Sequence, residues 1–260
     1  MLRSAIRRES ATLMAGVLIL VVLITPLCGC GGGGRVSFHY PGESMMYPTL
    51  GEEPPALFVE FVNDLRPDTQ RGGTGGLATY RFPSDVNWDA SVAQVYYQAL
   101  VQDLTHTDLL QVVPLRSQAD YIVEVDLQHM GCKVTRRAAG YLLTGAMGAA
   151  LGYAVSGGGV GATAVGAVLG IGAIPVPTRL RAVCEVRLRV YDTSHEPFWE
   201  QTCLGEITKD VWDGLTSRKD QQWVDEYLTV AVKRCNACLL GQLRQALVEA
   251  EGAAGADGES

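Results

Sequence analysis

"LRAVCEVRLRVYD", Leu180 to Asp192, places Leu180, Ala182, Cys184, Val186, Leu188 and Val190 on alternate positions, with charged residues between them. Successive side chains of a strand point to opposite faces, so this period of two predicts a β-strand with one buried and one wet face. The turn "DTSHEP" follows, and "FWEQTCLGEI" beyond it reads as the partner strand of a hairpin.

Upstream, "DYIVEVDLQHM" repeats the pattern, with Val123, Val125 and Leu127 on one side and Glu124, Asp126 and Gln128 on the other. "ALFVEFV", Ala56 to Val62, lies between "EEPP" and "NDLRPD" and reads as a further strand. Two segments have helical period instead. "WDASVAQVYYQALVQDL" aligns Val92, Val95, Tyr96, Ala99, Leu100 and Leu104, and a helix from about Lys219 to Glu249 aligns Trp223, Tyr227, Val230, Ala231, Cys235, Cys238 and Leu239. The expected fold is α+β: a small mixed or antiparallel sheet with two helices packed on it. Roughly 150 residues are enough for the core of such a domain.

The domain is interrupted. Between Arg137 and Arg179 the run "AAGYLLTGAMGAALGYAVSGGGVGATAVGAVLGIGAIPVPT" holds no charged side chain. A dinucleotide fingerprint would need an acidic residue about 20 positions on, and a P-loop a Lys followed by Ser or Thr. Gly157 and Gly159 have no such acid before Glu185, and Ala167 and Val168 follow Gly166. A core element would carry bulkier side chains. Small residues at helical spacing let two helix backbones approach closely, as helices do in lipid. Ala146, Ala150 and Ala154 form one ladder, Gly148 and Gly152 a second, and Ala162, Gly166 and Gly170 a third. With "SGGG" at 156–159 as a turn, the run predicts a hydrophobic helical hairpin, about Ala138 to Val155 and Val160 to Ile174. Its helix-packing residues are Gly148, Gly152, Gly166 and Gly170. A hairpin of this kind either enters a membrane as a glycine zipper or lies against protein.

At the N-terminus, Arg3, Arg7 and Arg8 precede the apolar stretch "LMAGVLILVVLIT", the layout of a signal peptide. "LCGC", Leu27 to Cys30, resembles the lipobox of bacterial lipoproteins. The resemblance implies cleavage after Gly29 and acylation of Cys30, palmitate included, and Gly31 after the cysteine resembles an outer-membrane destination. The expected organisation is a signal peptide at 1–29, a linker at 30–54, a discontinuous α/β domain at 55–135 and 179–250, the inserted hairpin at 138–178 and a disordered tail at 251–260.

Removing the signal takes the formal charge from −7 to −9, since three arginines and Glu9 leave with it. An acidic domain is a poor partner for nucleic acid, whose phosphates require a basic face. Five cysteines remain beyond Cys30. Cys184 and Cys203 flank the "DTSHEP" turn almost symmetrically and form a possible disulfide, with two unpaired core thiols as the alternative. Cys235 and Cys238 of "CNAC" have no βαβ unit before them and read as core residues of the last helix rather than a redox pair.

Catalytic patterns are missing. His39, His106, His129 and His195 have no metal-ligand spacing, and there is no G-x-S-x-G elbow. Asp64 and Arg66, at the end of the first strand and beside Pro67, read as a turn, with a hydrogen bond between the two as the alternative. No enzymatic activity, metal or cofactor is expected.

The order of elements, with "FVNDLRPD" after the first strand, "QADYIVEVDL" after the first helix and "LRVYDTS" before the hairpin, resembles periplasmic lipoprotein domains of the YajG and CsgG types. The glycine-rich hairpin is similar to that of TraT, an oligomeric outer-membrane lipoprotein. These resemblances imply a non-enzymatic, outer-membrane-anchored component of binding or assembly, oligomeric through its hairpin, with its domain facing the periplasm or the surface. Its expected partners are the membrane, further copies of itself and other envelope proteins. An auxiliary lipoprotein of envelope transport or secretion, carrying an apolar groove, is the alternative.

Overall fold

The computed structural model describes residues 35–41, 54–73, 79–107, 109–156, 167, 175–213 and 219–257. In order these form β1 (Ala56–Asp64), α1 (Asp68–Arg71), β2 (Thr79–Phe82), α2 (Val92–His106), β3 (Gln111–Val112), β4 (Tyr121–Arg136), α3 (Ala138–Ser156), β5 (Val176–Asp192) and β6 (Pro197–Asp213), then α4 (Asp220–Trp223), a π turn (Val224–Leu228) and α5 (Thr229–Asp257). The described residues divide into two compact units, one drawn from 34–134, 179–209 and 219–260, the other from 135–178 and 210–218.

The strands make one mixed sheet of order β3-β1-β4-β5-β6, with β2 also on β4. β1 runs parallel to both β3 and β4. In β5 the even positions from Leu180 to Val190 are buried, as the alternation predicts. In β4 Val123, Val125 and Leu127 are buried on the core side, with Ile122 and Asp126 buried as well, whereas from Met130 to Val134 the buried side chains are even, so the strand changes which parity faces the core partway along. β1 makes a similar switch. Val59 pairs with Val123 but Phe61 pairs with Glu124, leaving Glu60 as an extra residue. A bulge of this kind sends the residues after it to the opposite face, and it puts Phe61 and Asn63 on the side of Glu124 and Asp126.

α2 starts at Ser91, whose side chain accepts a hydrogen bond from Gln94 N–H at 3.3 Å, a standard N-cap. Its buried face includes all six residues that the helical period selects. The last helix departs from expectation in register. Its buried residues are Trp223, Val224, Leu228, Thr229, Ala231, Val232, Cys235, Asn236, Leu239, Leu240, Leu243 and Leu247, while Tyr227, Val230 and Cys238 are only half-buried. The π turn accounts for this. One turn with i→i+5 bonding steps the buried face from Trp223 to Leu228 rather than to Tyr227, and the ordinary helical period resumes from there.

Two boundaries also move. Part of the expected linker is docked in the domain: Val36 is buried and pairs with Trp88, its N–H donating to Asn87 O at 2.7 Å. Ser37 exchanges hydrogen bonds with the Gln221 amide at 3.0 and 2.7 Å. Residues 251–257, expected to be disordered, continue α5 to Asp257. Their sequence, "EGAAGAD", is rich in Ala, the best helix former.

The sulfur partner of Cys203 is Cys238, with Cα atoms 6.0 Å apart, and not Cys184. Cys184 is a free buried thiol beside Cys235. The correction has a packing reason. β6 lies directly against α5 at Gly205, where an added Cβ would stand 1.8 Å from the Ala231 carbonyl oxygen, and this contact brings the helix rather than the neighbouring strand up to Cys203.

In the second unit, α3 occupies the first arm of the predicted hairpin; the second arm, with Gly166 and Gly170, lies outside the described residues. Among the described residues no helix is long and apolar enough to cross a membrane, which corrects the expectation of a transmembrane hairpin for this arm. α3 carries Gly140, Gly145, Gly148 and Gly152 and six alanines, and such small side chains contribute little to insertion compared with Leu or Ile. Gly140 sits against the Val176 side chain, where a Cβ would find Val176 Cβ at 3.1 Å.

Candidate binding site

The helices cover one face of the sheet, and chemistry is concentrated on the other. Because β4 and β5 alternate, Glu124, Asp126, Arg187 and Arg189 project to that face, and the β1 bulge adds Asn63. Asp126 is 1% exposed and is the centre of this group. It accepts from Asn63 Nδ2 at 3.0 Å, from Arg187 at 3.0 and 2.5 Å, and from Arg189 at 3.1 and 3.2 Å. Arg189 also pairs with Glu124 at 3.2 Å, and Arg187 with Glu200 at 3.7 Å. Burial alone would raise the Asp126 carboxyl. The hydrogen bonds from Asn63 and Arg187 and the two arginine charges outweigh it and hold the group below its usual range. The network pairs both arginines with carboxylates but leaves Arg189 Nε buried without a hydrogen-bond partner among the described residues.

A second cluster stands at the end of β1. Arg66, 3% exposed, donates two hydrogen bonds to Asp64 at 2.9 and 2.8 Å and a third to Asp85 at 2.6 Å. The turn expected at Asp64 and Arg66 is thus also a buried ion pair, in which the guanidinium bonds overcome the upward push of burial and keep the Asp64 carboxyl low.

A third polar group lies between the helices. Asp103 of α2, the Tyr40 hydroxyl, Asn236 of α5 and the Tyr96 hydroxyl form a chain: Tyr40 donates to Asp103 at 2.5 Å, Asn236 donates to Asp103 at 2.6 Å, and Tyr96 donates to Asn236 Oδ1 at 2.7 Å. Burial raises the Asp103 carboxyl against the downward pull of its two donors. The cluster ties 35–41, α2 and α5 together. Three thiols are buried in the same unit, Cys132, Cys184 and Cys235, and burial pushes those of Cys132 and Cys184 above the ordinary range. Raised thiols of this kind are inert at neutral pH; of the two cysteines of "CNAC" expected in the core, Cys235 is a buried free thiol, whereas Cys238 is half-buried and bonded to Cys203.

The open face carries a cavity of about 290 Å³, close to the lower limit of small-molecule sites. α1, the start of β2, and the strands β4, β5 and β6 border it. The parity switch in β4 is what turns His129, Gly131 and Lys133 into it rather than into the core. Arg81 and Arg181 stand on its walls, with Gln70 and Glu185. His129 Nδ1 lies 2.8 Å from Glu185, and Arg181 is bidentate to Glu206 at 2.7 and 2.5 Å. Gln70 fills the space that a side chain at 131 would take, its Nε2 being 2.8 Å from where a Cβ would stand. The sequence pattern flagged none of Arg81, Lys133 or Gln70, since scattered residues converge here from distant segments.

Of the residues singled out in the sequence, Cys30, Gly166 and Gly170 lie outside the described residues. Gly148 is buried and Gly152 half-buried, while Ala146, Ala150 and Ala154 of the first ladder are exposed. Among the described residues no three His, Cys, Asp or Glu side chains are grouped to hold a metal.

No protein-family model matches the chain, and no curated protein matches it in sequence. Solved structures similar to it include the Xanthomonas campestris protein XCC0632 of the DUF330 family, with 12% identity over 84% of this chain and 99% of that one at a TM-score of 0.45. Another is a putative neuraminyllactose-binding hemagglutinin homolog from Helicobacter pylori, with 8% identity, 85% and 98% coverage and a TM-score of 0.42. Lipoprotein GNA1162 from Neisseria meningitidis aligns with 8% identity, 77% and 99% coverage and a TM-score of 0.27. These likenesses are loose in both sequence and geometry.

Proposed function

We propose that this chain is a lipid-anchored, non-enzymatic component of a bacterial cell envelope, held at the outer membrane through Cys30 and acting by binding through its α/β domain. The observation that carries the reading is the conjunction of "LCGC" after a signal-peptide layout with the Cys203–Cys238 disulfide. A structural disulfide between strand and helix persists in an oxidising compartment and is rare in the cytosol, so the sequence address and the folded domain agree on export. The cavity on the open face mixes charged and amide groups with Pro67, Val183 and Leu204, and its several cations support a polar partner over the purely apolar cargo of a lipid carrier. Self-association is assigned to the Gly/Ala insertion. Met147, Leu151 and Tyr153 are 50%, 62% and 60% exposed on α3, an apolar surface suited to a further copy of the chain.

The test is fractionation of cells making the chain or its Cys30→Ala variant, with labelled palmitate in the medium. Label in the outer-membrane fraction that vanishes with the variant, together with accumulation of uncleaved precursor, is the expected result. Unlabelled protein, or a variant that is processed and fractionates normally, excludes the anchor. Mass measurement of the mature protein in mild detergent tests the oligomer separately, a monomer excluding it.

A further inference from the structure

The geometry points to the open-face cavity as a binding site for a phosphate group, with Arg81 and Lys133 as its unmatched cations. Four basic side chains line the cavity, and two of them are already matched, His129 by Glu185 and Arg181 by Glu206. Among the described residues Arg81 donates only to the neutral Thr69 hydroxyl, at 2.9 Å, and has no carboxylate within ion-pair distance. Lys133 has no hydrogen-bond or ion-pair partner among the described residues and is exposed to the cavity.

Gln70 adds a neutral donor. Its Oε1 accepts from the Met130 N–H at 3.3 Å, which orients the amide so that Nε2 faces Gly131, and Nε2 has no acceptor among the described residues. Thus an arginine fork, an ammonium and an amide N–H face one cavity whose lining carboxylate, Glu185, is already paired with His129, in a chain of net charge −7. A phosphate monoester carries between one and two negative charges at neutral pH and three strong acceptor oxygens, which matches two unpaired cations and an amide donor better than a single carboxylate does. The group arrives either as free phosphate or on a lipid headgroup, and the same donors serve both. This inference goes beyond the anchoring proposed above and is measured without reference to where the protein resides.

The experiment titrates the full mature chain in neutral detergent with inorganic phosphate, and separately with micelles carrying phosphatidic acid or, as a control, a neutral diacylglycerol. Saturable binding that weakens at least tenfold in Arg81→Gln and in Lys133→Gln, and is unchanged in Arg116→Gln on the Glu60 side of the sheet, is expected. Binding of inorganic phosphate assigns the site to free phosphate; binding to phosphatidic acid micelles alone assigns it to a headgroup. Lys133 is exposed and outside the core, so its variant remains folded and decides the matter even where Arg81→Gln unfolds. No binding in either arm, or binding undiminished by Lys133→Gln, overturns the proposal.

Discussion

The backbone of β6 at Gly205 touches the backbone of α5 at Ala231: an added Cβ would lie 1.8 Å from the Ala231 oxygen and 2.6 Å from the Cys235 nitrogen. Neither neighbour is a flexible side chain, so nothing gives way cheaply. Gly205→Ala is expected to cost at least about 3 kcal/mol, the upper end of ordinary overpacking, seen as a large fall in the thermal midpoint. A variant as stable as the parent would show that the helix stands off the strand.

Cys203 and Cys238 are separated by 35 residues and tie the same strand to the same helix. Closing a loop of that length restricts the unfolded chain and is worth about 2–4 kcal/mol. Replacing both by Ser lowers stability by that amount in denaturant titration and leaves the fold intact, because the Gly205 contact remains. In native protein Cys132, Cys184 and Cys235 are buried and free. They therefore resist a thiol reagent until denaturant is added, and rapid labelling of Cys235 in the native state would contradict the placement.

The Asp126 carboxyl is held below its usual range in the folded state, by hydrogen bonds and arginine charges that outweigh burial. The folded protein therefore binds fewer protons than the unfolded chain between the depressed value and the ordinary one near 4. Its stabilisation is present in full above about pH 4 and is lost as pH falls through the depressed value. Asp126→Asn is expected to destabilise by about 2–3 kcal/mol at neutral pH, the range for losing a charged hydrogen-bond acceptor. The difference from the parent shrinks as pH is lowered below about 4. A gap independent of pH would mean that the charge of Asp126 is immaterial.

Asp103 shows the opposite sign. Burial raises its carboxyl, so the folded chain binds more protons than the unfolded one, and the associated stability is present at low pH and lost as pH rises through the raised value. Tyr40→Phe removes one of its two donors. The expected cost is about 1–2 kcal/mol for a lost buried hydrogen bond, with increased protease sensitivity of the segment around Val36. Full resistance there would show that 35–41 is held by its backbone contacts alone.

The single-element patterns were legible without any structure. Val92, Val95, Tyr96, Ala99, Leu100 and Leu104, and the even residues from Leu180 to Val190, are buried as their spacing requires, because the direction of a side chain along a regular helix or strand is a local property. The first arm of the Gly/Ala run is helical for the same reason. Its expected passage through a membrane was not a matter of period but of total hydrophobicity, and glycine and alanine supply too little.

Tertiary structure decided the rest, since it depends on which distant segments meet. The π turn that carries the buried face from Trp223 to Leu228 leaves no mark in a pattern read at constant period. The sequence offered Cys184 as the possible partner of Cys203, and the approach of α5 at Gly205 selected Cys238 instead. The docking of Val36 and Tyr40 relies on Trp88 and Asp103, both more than 50 residues away in the chain. The candidate site depends most on such meetings. Gln70, Arg81 and Lys133 come from a short helix and two strands, and only the parity switch in β4 turns Lys133 out to join them. A local periodicity cannot encode that convergence, because it is created by register and close approach between elements rather than by any one of them.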